Sequence, residues 1–340
     1  MSFIHKIKNT CLQQKLFLPG DRILIGVSGG PDSVALLHVL NALHHSFGLQ
    51  LYVAHLNHGL RPEAVKEQDY VKELTKKLGL PLFTKTIKLH KTKGSLEERA
   101  REVRFAFLTE TAKKIKANSI ALGHHQDDLA ETILMRILRG TGPMGIKSIL
   151  PKRTINGINF IRPLLETNRC AIEKFLKNKK IKFYTDVSNT DKTFLRNKIR
   201  LELLPMLQKT YNPNIKKTLV RFSQSMSLAY DYVKDSAAFF LNKCISKRKT
   251  GTPITIDLKK ASCLHPAVLR EMLRLAIEKL LGHTRGLTFT HVEAVEHLLG
   301  NQPNGSIVFL PYKLVAIKKD GFIIIQNTSK RLLIKQKKRL

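Results

Sequence analysis

Apolar and polar positions in the first 150 residues switch repeatedly between a continuous, strand-length run and a helical period. Arg22–Val27 is an apolar run of strand length, followed by a turn and a helix from about Ser33 to His45. Gln50–His55 predicts a second strand. Glu63–Leu78 predicts a helix, with helical apolar spacing at Val65, Tyr70, Val71, Leu74 and Leu78. Pro81–Ile87, the long helix Ser95–Lys116, the short strand Ser119–Leu122 and the helix Asp127–Leu138 continue the alternation. Such alternation predicts an α/β fold, a parallel doubly wound sheet covered on both faces. Its ligands belong at the carboxyl ends of the strands.

From Gly140 to about Pro151 the chain turns rich in Gly and Pro and the periodicity weakens. Helical patterns return at Asn168–Lys179 and at about Thr193–Leu204, where Pro205 is expected to close the helix. Tyr211-Asn212-Pro213-Asn214 reads as a boundary loop. Beyond it come a helix at about Ile215–Leu241, a basic turn Lys247–Thr250 and a strand Ile254–Asp257. Helices at Pro266–Leu281 and about Thr290–Leu299 follow, then two or three strands within Ser306–Gln326. The predicted organisation is a nucleotide-binding domain over 1–150, a helical extension over 151–214, a smaller α+β domain over 215–330 and a basic tail over 331–340.

Charge changes the picture. Lys and Arg number 59 against 26 Asp and Glu, a formal net charge of +33. Solubility asks for roughly 2–8 net charges on a small domain. The excess therefore points to a polyanion bound through its phosphates. The basic residues are spread along the chain rather than gathered beside an apolar anchor, which favours nucleic acid over a membrane. Cys11, Cys170, Cys244 and Cys263 form no C-x-x-C pair and suggest a reduced, cytoplasmic protein. No stretch reads as a signal peptide or membrane span.

The candidate chemistry begins where Arg22–Val27 runs into Ser28-Gly29-Gly30-Pro31-Asp32-Ser33 at a helix start. Two glycines let backbone N–H groups approach phosphate oxygens, and the helix dipole adds partial positive charge. An ordinary turn with Ser33 or Asp32 as N-cap is the plainer reading. Asp32 would repel a phosphate, which suggests a bridging Mg²⁺ or a role against a cation. No G-x-x-x-x-G-K-[ST] loop occurs, because Ile146 separates Gly145 from Lys147. Cleavage between the α- and β-phosphates, with pyrophosphate leaving, fits better than γ-phosphoryl transfer.

Further motifs follow in order: His55-Leu56-Asn57-His58-Gly59-Leu60-Arg61, then Leu96-Glu97-Glu98-Arg99-Ala100-Arg101-Glu102-Val103-Arg104-Phe105. Next come Leu122-Gly123-His124-His125-Gln126-Asp127-Asp128-Leu129-Ala130-Glu131-Thr132 and Arg139-Gly140-Thr141-Gly142. Last are Arg162-Pro163-Leu164-Leu165, Asp186-Val187-Ser188-Asn189 and Arg196-Asn197-Lys198-Ile199-Arg200. In this series the chain resembles the N-type ATP pyrophosphatases (the PP-loop superfamily), and within them the tRNA(Ile)-lysidine synthase family. The resemblance covers roughly the first 210 residues and departs at Phe105, where the family favours tyrosine.

The resemblance implies a two-step, AMP-forming ligation on the isoleucine tRNA with a CAU anticodon. ATP adenylates the C2 oxygen of the wobble cytidine with release of pyrophosphate. The ε-amine of free lysine then displaces AMP, and codon reading changes from AUG to AUA. It makes Asp32, Arg104, Asp128 and Glu131 the expected catalytic residues, and Ser28, Gly29, Gly30, Pro31, Asp32 and Ser33 the ATP site. Asp128 and Glu131 would hold lysine, and Asp32 and Asp127 would hold Mg²⁺. His58, Arg61, Arg139, Arg196 and Arg200 would meet the tRNA.

Plainer readings stand beside these. Glu97 and Arg101 have the spacing of a surface ion pair, acidic residues suit a first helical turn through the dipole alone, and His58 and His124 could cap strand ends. A homodimer is compatible with the chain. The rival chemistries are sulfur transfer to tRNA, which calls for paired cysteines, and an amidotransferase-type synthetase, which leaves the basic charge unexplained. A non-catalytic RNA-binding protein is the third.

Overall fold

The structure is a computed structural model. It describes residues 2–328 apart from 58, 60–62, 88–95, 148, 185–191 and 245–252. The expected residues His58 and Arg61, the 186–189 motif and the basic tail lie outside the described residues.

In chain order the first elements are α1 (Phe3–Gln13), β1 (Arg22–Gly26), α2 (Pro31–Phe47), β2 (Gln50–Asn57), α3 (Glu63–Lys77), β3 (Leu82–Thr86), α4 (Leu96–Lys114), β4 (Ser119–Ala121) and α5 (Gln126–Leu138). A short α6 (Pro143–Ile146) precedes the hairpin β5 (Lys152–Ile155) and β6 (Ile158–Ile161), then α7 (Arg169–Asn178). The six strands form one sheet in the order β3-β2-β1-β4-β6-β5. All neighbours are parallel except the edge pair β5–β6.

Strand period 2 sorts the core. Ile23 and Ile25 face one side with Leu36 and Leu40 of α2 and Ile172 and Leu176 of α7. Leu24 faces the other with Ile120, Phe160 and α4 residues Phe107 and Leu108. β1 to β2 steps one way across the sheet and β4 lies on the other side of β1, so the ends of β1 and β4 flank a topological switch point. The β5–β6 hairpin and α1 were not foreseen. Lys6 and Lys8 break the apolar pattern of α1, which is anchored by burying Ile7 and Cys11.

The helix expected to stop at Pro205 does not. α8 (Leu195–Lys198) passes into a π-helical turn, Ile199–Leu203, and on into α9 (Leu204–Thr210). A proline in a regular helix clashes with the carbonyl four residues back. Here the wide turn precedes Pro205, and Leu204 N–H donates to Ile199 O, five residues earlier.

Two compact units are present, residues 1–225 and 226–340, and their division falls inside α10 (Ile215–Cys244). Leu219 and Val220 at the start of α10 pack with Leu129, Ile133 and Leu134 of α5 in the first unit. The second unit contains β7 (Ile254–Asp257), α11 (Leu258–Ala261), α12 (Pro266–Leu281), α13 (Phe289–His297), β8 (Ile307–Leu310), β9 (Leu314–Lys319) and β10 (Phe322–Asn327). Its antiparallel sheet runs β7-β10-β9-β8, and its core includes Met272, Leu273, Ile277, Ile256 and Ile323. Among the described residues no helix is long and apolar enough to cross a membrane.

Candidate active site

The loop after β1 is held open by its own hydroxyls. Ser33 Oγ accepts from Ser28 N at 3.1 Å and donates to Gly30 O at 2.9 Å, and Ser28 Oγ lies 3.2 Å from Ser33 Oγ. Gly29 has φ +91°, a left-handed conformation that favours glycine. Gly30 is the N-cap of α2 with no side-chain cap, and Pro31 follows at the first turn. The first N–H groups of α2 therefore lack a side-chain acceptor, the condition for binding an anion.

Gly123, just past β4, is the close partner of this loop. A Cβ there would stand 3.0 Å from Asp32 C and 3.1 Å from Asp32 O and Ser33 N. This approach carries His124, His125 and α5 to the switch point. His125 caps α5: its Nδ1 accepts from Asp127 N at 3.2 Å, while Asp128 Oδ2 accepts from His125 N at 3.0 Å.

Asp32, Asp127, Asp128 and Glu131 come together here, each against a cation. Asp32 Oδ2 lies 2.5 Å from Arg169 Nη1. Asp127 Oδ1 takes the Lys216 ammonium and its Oδ2 accepts from Arg169 N at 2.8 Å. Asp128 Oδ1 accepts from Arg196 Nη2 at 2.7 Å. Glu131, 1% exposed, accepts from Arg196 Nε at 2.8 Å and from Arg200 Nε at 2.6 Å. Arg196 and Arg200 are one helical turn apart, so both guanidinia reach the same carboxylate.

Burial opposes the charge of Asp127, but the Lys216 and Arg169 hydrogen bonds outweigh it and hold the carboxyl below its usual range. Asp128 is also held down, with burial overcome by His125 and Arg196. His125 Nε2 lies 3.4 Å from Asp128 Oδ2 and 3.6 Å from Asp32 Oδ1. Burial alone would lower its pKa, yet these carboxylates raise it. His124 differs. Burial, together with Arg162, Arg104 and Arg101, pushes it down to about 3 against the pull of Asp128.

Arg104 of α4 is among the charges that act on His124. Arg139 caps the other end of α5 and is exposed. At 1.5 Å per residue it stands roughly 18 Å along the axis from Asp127. Arg196 and Arg200, expected at the tRNA, are engaged by Asp128 and Glu131.

Sequence reasoning missed Arg169, Lys216, His125 and Gly123. Arg169 did carry a signal: it is a cation in the first turn of α7, against the helix dipole, directly after the Asn168 N-cap. Lys216 carried none, since only folding brings α10 to α5.

The sequence matches the PP-loop domain family over residues 2–207. The tRNA(Ile)-lysidine synthase of Clostridioides difficile is 38% identical over 327 residues, 95% of this chain and 70% of that protein. That of Caldanaerobacter subterraneus subsp. tengcongensis is 36% identical over 339 residues, 98% and 71% respectively. Among solved structures, the U34-tRNA thiolase of Methanococcus maripaludis, with its 4Fe-4S cluster, superposes with a TM-score of 0.56. It covers 66% of this chain and 78% of its own at 18% identity, a likeness of fold alone. With the open phosphate loop set against this acidic ledge, the chain belongs to the tRNA(Ile)-lysidine synthases, a family of ATP-using PP-loop ligases.

Proposed function

We propose that this chain ligates free lysine to C2 of the wobble cytidine of the CAU-anticodon isoleucine tRNA. The observation that carries the reading is the juxtaposition, through Gly123, of the uncapped α2 N-terminus with the buried pair Asp128 and Glu131. One side suits the leaving pyrophosphate and the other suits an amine.

In the first step the cytidine C2 oxygen bonds to the α-phosphorus of ATP, and the bond to the β-phosphate oxygen breaks. Backbone N–H groups of Gly29, Gly30, Asp32 and Ser33 and the Ser28 hydroxyl hold the departing pyrophosphate, and Arg104 offsets charge on the α-phosphate. In the second step the lysine ε-nitrogen, having lost a proton, bonds to C2, and the C2–O bond breaks with AMP leaving. Asp128 orients the amine, and Glu131, with both oxygens engaged by Arg196 and Arg200, would reach it only as one of those guanidinia gives way. Asp128 keeps acceptor capacity beyond its Arg196 and His125 bonds, because a carboxylate offers roughly four lone-pair sites.

Mg²⁺ fits one of its two expected carboxylates. Asp32 Oδ1 is buried with no hydrogen-bond partner, with His125 Nε2 3.6 Å away, and would serve as a single oxygen ligand beside substrate phosphates once His125 is neutral. Both oxygens of Asp127 are engaged, by the Lys216 ammonium and the Arg169 N–H, so a cation there would have to displace Lys216. Bound Mg²⁺ would neutralise phosphate charge.

The test is direct. The chain is incubated with ATP, labelled lysine and total tRNA, and the labelled species is identified. Label confined to the CAU isoleucine tRNA is the expected result; no label, or label in methionine tRNA, overturns the reading.

A further inference from the structure

Arg162, in a motif to which the reaction above gives no task, is 7% exposed. Its Nη1 donates to Leu150 O at 2.7 Å and to Phe160 O at 3.4 Å, while its Nε is buried with no partner. No carboxylate among the described residues pairs with it. A buried guanidinium satisfied only by carbonyls is costly unless a negative charge completes its surroundings.

Its neighbours deepen the imbalance. Arg153 is exposed on β5, opposite Phe160 in the hairpin register. Half-buried Arg136 donates to Gly145 O from α5. The charges of Arg101 and Arg153 act on both Arg162 and Arg136; after burial they are the leading causes that bring Arg162 down to about 10 and lower Arg136. Arg136, Arg153 and Arg162 are like charges that repel, and an anion among them would relieve that repulsion.

The position separates this cluster from the phosphate loop. Arg162 follows β6, two strands from β1 in the sheet, hence roughly 10 Å across from the Ser28–Ser33 loop. His124 follows β4, the strand between β1 and β6, and feels both Arg162 and Asp128.

We infer that Arg136, Arg153 and Arg162 form a phosphate-binding site beside the reaction centre, and that it takes a backbone phosphate of the substrate RNA rather than a phosphate of ATP. The inference rests on the reading of tRNA as substrate. The site would anchor the strand next to the reacting base, a positioning contact that carries no sequence information itself.

The experiment uses the full chain, the CAU isoleucine tRNA and, separately, ATP. Arg153→Gln removes an exposed side chain with no hydrogen-bond or ion-pair partner among the described residues, so the fold should persist. Arg162→Lys keeps the charge but loses the fork, and a thermal melt checks that it folds. For Arg153→Gln the slope of log K against log salt for tRNA should flatten by about 0.7–0.9, one phosphate contact, with ATP affinity unchanged. Arg162→Lys should weaken tRNA binding while melting cooperatively. An unchanged tRNA slope and affinity in Arg153→Gln overturns the site. Loss of ATP affinity with intact tRNA binding overturns it too, by assigning the cluster to the nucleotide. Failure of the unmodified chain to bind tRNA overturns the functional reading, and the site with it.

Discussion

Gly123 rests against the backbone of Asp32, its hydrogen facing Asp32 C at a point where a Cβ would stand only 3.0 Å away. The neighbouring atoms are peptide atoms at the start of α2, which cannot swing aside as a side chain would. Gly123→Ala should therefore push the β4–α5 connection off the phosphate loop. Stability should fall by about 1–3 kcal/mol in urea unfolding, the usual cost of overpacking, and ATP affinity should fall with it. If midpoint and affinity both hold, the two loops are not as closely coupled as this contact implies.

Asp32→Ala removes one of the two carboxylates paired with Arg169, the other being Glu173, and the proposed Mg²⁺ ligand. Both side chains of the ion pair are partly exposed, so the fold should lose little. Pyrophosphate release should be abolished while tRNA binding persists. Near-normal turnover would falsify the assignment of the ATP site.

Asp128→Asn and Glu131→Gln should each raise the lysine requirement more than the ATP requirement, read from separate substrate titrations. They should differ in stability. Glu131 is 1% exposed and holds both guanidinia, so its replacement leaves two cations underpaired and should cost about 3 kcal/mol, the lower end for a broken buried pair. Equal weakening of lysine and ATP use would point to a structural role.

The folded-state pKa of His124, depressed to about 3, makes a pH prediction. Between that value and the unfolded value near 6.5, the unfolded chain binds a proton that the folded chain does not. Stability from this residue is therefore present above about pH 6.5 and is lost as pH falls toward 3. His124→Asn should flatten the acid limb of a stability profile over that window. An acid limb of unchanged slope in the variant would remove His124 as its cause.

Amine transfer needs no protein thiol. Cys11 and Cys244 are buried, with burial pushing the Cys11 thiol up to about 12, and Cys170 and Cys263 are exposed. Cys170 lines the cavity with Asp127, Arg169 and Lys216, but among the described residues no cysteine hydrogen-bonds to Asp32, Asp127, Asp128 or Glu131. Replacing the buried pair by Ala and the exposed pair by Ser should preserve tRNA modification at a modest packing cost. A folded variant that binds ATP and tRNA yet modifies nothing would favour sulfur transfer.

Local pattern determined much of this protein. The apolar run Arg22–Val27, the glycines after it and the helical stripe beyond place a phosphate loop at a strand end, because strand period, glycine freedom and helix polarity are all properties of short segments. The acidic turn Asp127–Glu131 was legible for the same reason. What each acid faces was not. Arg196 and Arg200 read as free basic residues in the sequence, yet they sit on Asp128 and Glu131 some 65 to 69 positions away. Lys216 reaches Asp127 across 89 positions. The same holds for Pro205, which ends a helix on local rules but follows a π turn here. Ion pairing between distant segments depends on which helices the core packs side by side, and that is decided only when Leu219 and Val220 bury against α5.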